Sequence, residues 1–314
     1  MPMQSHQLSS SIAYFRDNFV PFSEANVSIA SSGFLYGLTI YTVFTATWNE
    51  EHQQLYIFRL DEHYNRLVNS ARIMDFADFK ARYSFEQFKD TMLELLKRNK
   101  AKEDLLVRVM IFVDELAAGT KIRGLRNELA VFVYPMGEIL PTNGAHVCVS
   151  SWVRTADNMM PARAKVNGTY VNASLMKNEA LVNGYDDAIA IDAYGHVAEG
   201  TVANLFLVRN GMLITPDTST DILEGITRSS ILMMARDLSI PVIERSVDRS
   251  ELYAADEAMF TGSSASIVPI LTIDRRPVGD GKPGPITTRI TDHFSELRRG
   301  LLEKNWLTSV YPKD

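Results

Sequence analysis

Two β-rich runs, Leu105–Val113 and Leu129–Tyr134, succeed one another with no helical pattern between them. Strands that do not alternate strictly with helices argue against a doubly wound parallel sheet and for an α+β fold. Ile12–Val20 reads as a hairpin turning at Asp17-Asn18, and the strand-like run Leu55–Arg59 leads into a helix from about Asp61 to Ile73. Ser84 and Gln87 have the spacing of a capping box, which predicts a helix that buries Phe85, Phe88, Met92 and Leu95.

The Pro/Gly-containing stretch Pro135–Gly144 breaks this pattern and marks a candidate domain junction. A chain of 314 residues suits two moderate domains. The expected division is a small α/β domain over 1–147, an interdomain segment over 148–160 and a larger domain over 161–314. Past the junction come a β run, Val147–Trp152, and an irregular segment, Val153–Asn167. Short strands follow near Ala188–Asp192, Leu205–Val208, Met212–Thr215, Val242, Met259 and Val268, with helices at about Thr227–Leu238 and Ile286–Glu303.

Several function classes are disfavoured. A net charge of −6 with no basic block argues against a nucleic-acid or anionic-membrane partner. Cys148 is the single cysteine, so there is no disulfide framework and no CxxC knuckle. The N-terminal stretch Met1–Ser10 is polar, without the apolar core of a secretory signal, and no apolar run reaches the roughly 20 residues of a membrane span. A cytoplasmic setting is expected. The six histidines are dispersed, with no HExxH pair, so no metal site is expected. Gly262-Ser263-Ser264-Ala265-Ser266 lacks the closing glycine of a GxSxG elbow.

What remains lies mostly in the second half. Lys165 sits among small and apolar residues in Ala164-Lys165-Val166-Asn167-Gly168-Thr169-Tyr170. Most lysines are solvated, but an amine held among apolar neighbours loses hydration, its pKa falls, and it becomes a competent Schiff-base former. Glu199 reads either as an exposed turn residue or as a carboxylate ahead of a strand, aimed at a cation. Gly225-Ile226-Thr227-Arg228 precedes an apolar-periodic run, with Thr227 as candidate N-cap, so the helix start offers an anion cradle. Gly262-Ser263-Ser264 is a second small-residue turn able to hold an anion, or a plain loop.

In order along the chain, Ser150-Ser151-Trp152, Ala164-Lys165, Gly168-Thr169-Tyr170, Gly184-Tyr185-Asp186, Glu199-Gly200, Asn204-Leu205-Phe206, Gly225-Ile226-Thr227-Arg228, Ala255-Asp256-Glu257 and Thr261-Gly262-Ser263 resemble the fold-type IV pyridoxal-phosphate enzymes. Within that group they are most similar to the branched-chain aminotransferases. The resemblance runs from about Ile12 to Leu301 and implies a two-domain homodimer or higher oligomer, with pyridoxal 5′-phosphate bound by the C-terminal domain. It makes Lys165 the catalytic lysine that carries the cofactor as a Schiff base, and Tyr170 the partner of its phenolic oxygen. Glu199 becomes the partner of the ring nitrogen; Arg59, Ile226, Thr227 and Ser263 become the phosphate binders. Tyr36, Tyr41, Arg108, Trp152, Ser263 and Ser264 are placed around the substrate. The implied reaction is transamination between an apolar, branched-chain-like L-amino acid and 2-oxoglutarate.

The chain departs from the branched-chain pattern in two places. Tyr41 supplies the usual aromatic, but Thr42 and Val43 stand where the family has Glu-Gly, and Val43 in place of glycine restricts the backbone. Leu106 stands where a tyrosine commonly assists the substrate carboxylate, which leaves that task to Arg108 and the Gly262-Ser263-Ser264 turn. Met159 and Met160 offer an adaptable apolar wall, or core filling. These departures keep open a D-amino acid or (R)-amine transaminase, or a lyase resembling aminodeoxychorismate lyase, on the same fold. A non-catalytic scaffold is disfavoured by Lys165, Tyr170, Glu199 and Arg59 occurring together.

Overall fold

The structure is a computed structural model that describes residue 8 and residues 10–76, 79–117 and 119–312. Of the polar stretch Met1–Ser10, all but Leu8 and Ser10 lies outside the described residues. The chain divides into two interleaved compact units: Met1–Gly137, Ala164–Gly168 and Leu297–Asp314 form the first, and Glu138–Arg163 and Thr169–Glu296 the second. This division differs from a contiguous cut at 147 and 161. Composition marks local breaks, whereas unit membership follows long-range pairing, which returns Ala164–Gly168 and the C-terminal segment to the first unit.

The first unit is built on an antiparallel sheet. Its strands are β1 (Ile12–Phe15), β2 (Asn18–Pro21), β3 (Thr39–Asn49), β4 (Gln54–Phe58), β5 (Leu105–Val113), β6 (Asn127–Pro135) and the late strand Leu307–Ser309. They lie in the order Leu307–Ser309, β4, β3, β5, β6, β1, β2. The β1–β2 hairpin turns on Arg16 and Asp17, one residue earlier than expected, because both take the positive φ (48° and 63°) that a tight hairpin turn requires. The helices are α1 (Ser32–Leu35), α2 (Leu60–Ile73), α3 (Phe79–Arg82) and α4 (Phe85–Arg98). The capping box at α4 forms as the spacing predicts, and Phe88, Met92, Leu95 and Leu96 are its buried residues, with Phe85 only partly covered.

All of β3 is buried. One feature of its pairing positions the site. Strand β4 covers β3 only over Ala46–Asn49, so the front half of that edge is left to another segment. Lys165 and Val166 take it: Val166 bridges Ile40, and the Tyr41 N–H donates to the Lys165 carbonyl at 2.9 Å.

The second unit holds a mixed sheet. Its elements are β7 (Ala145–Val153), α5 (Tyr170–Val182), β8 (Asp187–Ile191), β9 (Val197–Gly200), β10 (Asn204–Arg209), β11 (Met212–Thr215), α6 (Ile226–Asp237), β12 (Val242–Glu244), β13 (Glu257–Gly262), β14 (Ser266–Ile273), β15 (Arg276–Pro277) and α7 (Pro285–Arg298). The order is β12, β11, β10, β13, β14, β7, β8, β9, with β15 on β14; β11–β12, β14–β7 and β7–β8 are parallel. Val147, Ile189, Leu205, Phe260 and Val268 lie in its core. The α+β expectation holds. Helix α7 stops at Arg298 rather than Glu303, just before Gly300 at φ 72°.

Candidate active site

In the first unit Lys165 is held by its main chain on two sides. Its N–H donates to the Ser70 hydroxyl on α2 at 3.2 Å, and its carbonyl accepts from Tyr41 on β3. Gly37, at φ 66°, lets the turn before β3 approach the Gly168 backbone; a Cβ there would stand 3.4 Å from the Gly168 Cα. The side chain is partly buried between Ala164 and Val166, which are both buried. Its Nζ lies 4.9 Å from the centre of the Tyr41 ring, and the Arg108 guanidinium lies 4.0 Å from the same ring.

Arg59 opens α2 from the left-handed region, φ 49° and ψ 50°. A non-glycine residue there costs about 1–2 kcal/mol. The surroundings enforce it: the Arg59 N–H donates to the Trp306 carbonyl, the guanidinium lies 5.1 Å from the Trp306 ring, and Glu62 pairs with it at 3.1 Å. One turn later His63 is fully buried, and burial, Arg66, Arg59 and Lys165 hold its imidazole well below the ordinary histidine value. Thr42 Oγ1 accepts from Arg66 at 2.9 Å and lies 2.7 Å from His63 Nδ1. Arginine can only donate, so the Thr42 oxygen is the acceptor in that pair, and the His63 imidazole, held well below its ordinary value, is neutral.

In the second unit Glu199 is a buried residue of β9, 5% exposed, not an exposed turn, and it lies ahead of β10. Its Oε1 pairs with Arg154 at 2.7 Å; its Oε2 accepts from Asn204 Nδ2 at 2.7 Å and from the Leu223 N–H at 3.2 Å. Donors of this kind favour the ionised form of a carboxylate, and a carboxylate is the natural partner of a cationic group.

The α6 start differs from the sequence expectation: Gly225 is the N-cap, and Thr227 is the second helical residue. The reason is space. A Cβ on residue 225 would stand 2.0 Å from Asn204 Oδ1, so no side-chain cap fits. The first-turn N–H groups of Ile226 and Thr227 thus meet no capping side chain and can serve an outside anion. Thr261 lies directly across from Asn204 in the β10–β13 pairing, and its buried hydroxyl has no hydrogen-bond partner among the described residues. Such a group costs about 1–3 kcal/mol unless an acceptor reaches it. An anionic group beside α6 and a cationic ring nitrogen at Glu199 would satisfy both arrangements, and pyridoxal phosphate carries both.

The remaining candidates are placed as follows. Tyr170 begins α5 and is partly buried. Ser263 and Ser264 form the β13–β14 turn that follows Thr261. Trp152 is 47% exposed near the end of β7, and Tyr36 ends α1, 43% exposed. Met159 is 76% exposed, which excludes core filling. Arg154 and Asn204 are the functional partners that residue-by-residue reading misses. The only signal for Arg154 is a charge just past a β run. Among the described residues no group of three or more His, Cys, Asp and Glu gathers as a metal site, and no helix is long and apolar enough to cross a membrane.

Residues 41–273 match the model of amino-transferase class IV. A probable branched-chain-amino-acid aminotransferase of Aquifex aeolicus is 40% identical over 309 residues, covering 97% of this chain and 98% of that protein. Among solved structures, the branched-chain aminotransferase of Thermoproteus uzoniensis with norvaline is similar at a TM-score of 0.90 and 38% identity, over 96% of this chain and 100% of that one. The branched-chain amino acid aminotransferase of Thermobaculum terrenum, solved in its PLP-form, is similar at a TM-score of 0.91 and 32% identity, over 97% of this chain and 100% of that one.

Proposed function

This chain belongs to the amino-transferase class IV family, and from that premise we propose that it transfers amino groups between branched-chain or similar apolar L-amino acids and 2-oxoglutarate, with pyridoxal phosphate as cofactor. The observation that carries the reading is the clamp on Lys165, whose main chain is fixed by Ser70 and Tyr41 while its amine lies near the Tyr41 ring and acts on a neutral His63. A lysine built in this way is a held nucleophile, not a solvated surface charge.

Bound pyridoxal phosphate supplies an electron sink for the donor's Cα–H bond. Lys165 Nζ would hold the cofactor and, once displaced by the donor, take the Cα proton. Glu199, kept ionised by Arg154 and Asn204, would pair with a protonated ring nitrogen. Arg59, the Ile226 and Thr227 N–H groups and Ser263 would bind the phosphate, and Tyr170 the phenolic oxygen. Those contacts orient and contribute little to the chemical step itself. Tyr36, Tyr41, Arg108, Trp152, Ser263 and Ser264 would receive the substrate, with Arg108 and the serine turn taking its carboxylate. The same reading makes the protein a cytoplasmic homodimer or higher homo-oligomer, and light scattering measures the oligomeric state directly.

Purified protein is expected to show a visible absorption band that L-leucine or L-glutamate bleaches and that Lys165→Ala abolishes. A colourless protein unable to take up pyridoxal phosphate would refute the reading. Bleaching by D-alanine or an (R)-amine alone would keep the chemistry and reject the L-amino acid assignment.

A further inference from the structure

Strand β7 gains residues over its neighbour near its end. Val149 lies opposite Ile189 and Val153 opposite Ile191, so the segment from 149 to 153 spans only 189 to 191 on β8. The excess lies within Ser150–Trp152, a bulge in which the Ser151 and Trp152 N–H groups bond side chains in place of ladder partners. Glu179, on α5, replaces those partners. Its carboxylate accepts from the Ser150 hydroxyl at 2.5 Å and from the Ser151 N–H at 3.1 Å, while the Ser150 oxygen accepts from the Trp152 N–H at 3.0 Å. Burial would raise the Glu179 carboxyl, but the hydrogen bonds from Ser150 and Ser151 outweigh it and hold the group below the ordinary glutamate value. The segment is therefore tied to an ionised anchor.

What the bulge delivers is Arg154. Immediately past Val153 its N–H donates to the Ile191 carbonyl at 2.8 Å, its Nε donates to the Asp221 carbonyl at 3.2 Å, and its guanidinium meets Glu199. Holding a long charged side chain in one geometry costs conformational entropy, and a fixed backbone beneath it lowers that cost. Within the bulge Glu179 holds Ser150 and Ser151, while Asp274 accepts from the Val149 N–H before it and Asn172 donates to the Val153 carbonyl after it.

Resting on the reading of Glu199 given above, we propose that Glu179 is a positioning residue of the cofactor centre: by holding the Ser150–Trp152 bulge it fixes Arg154 against Glu199 and so sets the strength of the carboxylate offered to the ring nitrogen. Glu179 touches neither cofactor nor substrate in this role.

The test compares wild-type protein, Glu179→Gln, Arg154→Lys and the double variant. For each, the apoprotein is titrated with pyridoxal phosphate, the pH midpoint of the holoenzyme's visible band is recorded, and Tm serves as a control. Glu179→Gln is expected to weaken cofactor affinity about tenfold and to move the midpoint in the same direction as Arg154→Lys, with the double variant no worse than Arg154→Lys alone. Glu179→Asp should recover part of both. Additive effects, or a lower Tm with affinity and midpoint unchanged, would overturn the inference. If Glu179→Gln does not fold, Ser150→Ala cuts the same link from the other side and carries the same expectations. A wild-type protein that takes up no cofactor refutes the functional reading and this inference with it; wild-type uptake with additive variants refutes the inference alone.

Discussion

Replacing Gly225 by alanine tests how tightly the α6 start and the Glu199 carboxylate are coupled. The backbone at 225, φ −73° and ψ 136°, suits alanine, and removing a glycine from the unfolded chain would by itself stabilise by about 0.4–1 kcal/mol. The new Cβ, however, would stand 2.0 Å from Asn204 Oδ1 and 3.2 Å from its Cγ. Asn204 must move, and its amide gives up a bond to the Glu199 carboxylate at 2.7 Å and one to the Leu223 carbonyl at 2.9 Å. A bond to a charged group contributes about 1.5–3 kcal/mol and a neutral one about 1. After the glycine gain, a net loss of about 2 kcal/mol is expected, or a Tm lower by about 4–8 °C. Urea unfolding of the apoprotein measures it. The double variant Gly225→Ala with Asn204→Ala removes the clashing atoms and should be no less stable than Asn204→Ala alone. Wild-type stability in Gly225→Ala, or simple additivity in the double variant, would refute the coupling.

Two further outcomes follow from the first unit. His63 is neutral when folded because its value is depressed, so the unfolded chain binds the extra proton: stability from this group is present above about pH 6.5 and lost as pH falls below it, by at most about 1.4 kcal/mol per pH unit, until the folded value is passed. His63→Gln should flatten that part of the pH–stability curve, measured by urea midpoints between pH 7.5 and 5; an unchanged slope would show that His63 does not carry it. Arg59→Gly relieves left-handed backbone strain while losing the Glu62 pair and the Trp306 contact, so apoprotein Tm should move by only a few degrees while pyridoxal-phosphate affinity falls at least about tenfold. A large Tm loss with affinity intact would assign Arg59 to structure alone.

Much of this was legible in the chain because the signals are local. The α4 capping box spans only Ser84 to Gln87, and the β5 and β6 runs are dense enough in apolar residues to read at once. Helix α5 gives no such signal. Its apolar residues fall on both faces, Ala173, Met176 and Ala180 inward and Val171, Leu175 and Val182 outward, so the helical period does not show. The cap of α6 was misplaced for a different reason. Threonine and glycine rank about equally as caps, so Thr227 reads as the cap locally; the crowding by Asn204 that keeps any side chain off position 225 is something no local rule can see. Arg154 and Glu199 likewise meet only once β7, β8 and β9 are assembled.

The same distinction sorts the departures at Thr42, Val43 and Leu106, which look equivalent along the sequence. In the β3–β5 pairing Tyr41 faces Met110, Val43 faces Arg108 and Thr45 faces Leu106, so these six side chains share one face of the sheet. Thr42 faces Val109 on the other side, where it is buried and bonded to His63 and Arg66. An acid at 42 would therefore speak first to α2 and its cations, not to a substrate lying against Tyr41 and Arg108. Val43 is different. It is the cross-strand neighbour of Arg108, whose guanidinium already lies against the Tyr41 ring, and Leu106 lies two residues from Arg108 on the same face with no hydroxyl to offer. Donor choice in this chain should accordingly follow Val43 and Leu106, while Thr42 governs how α2 holds His63 beside Lys165.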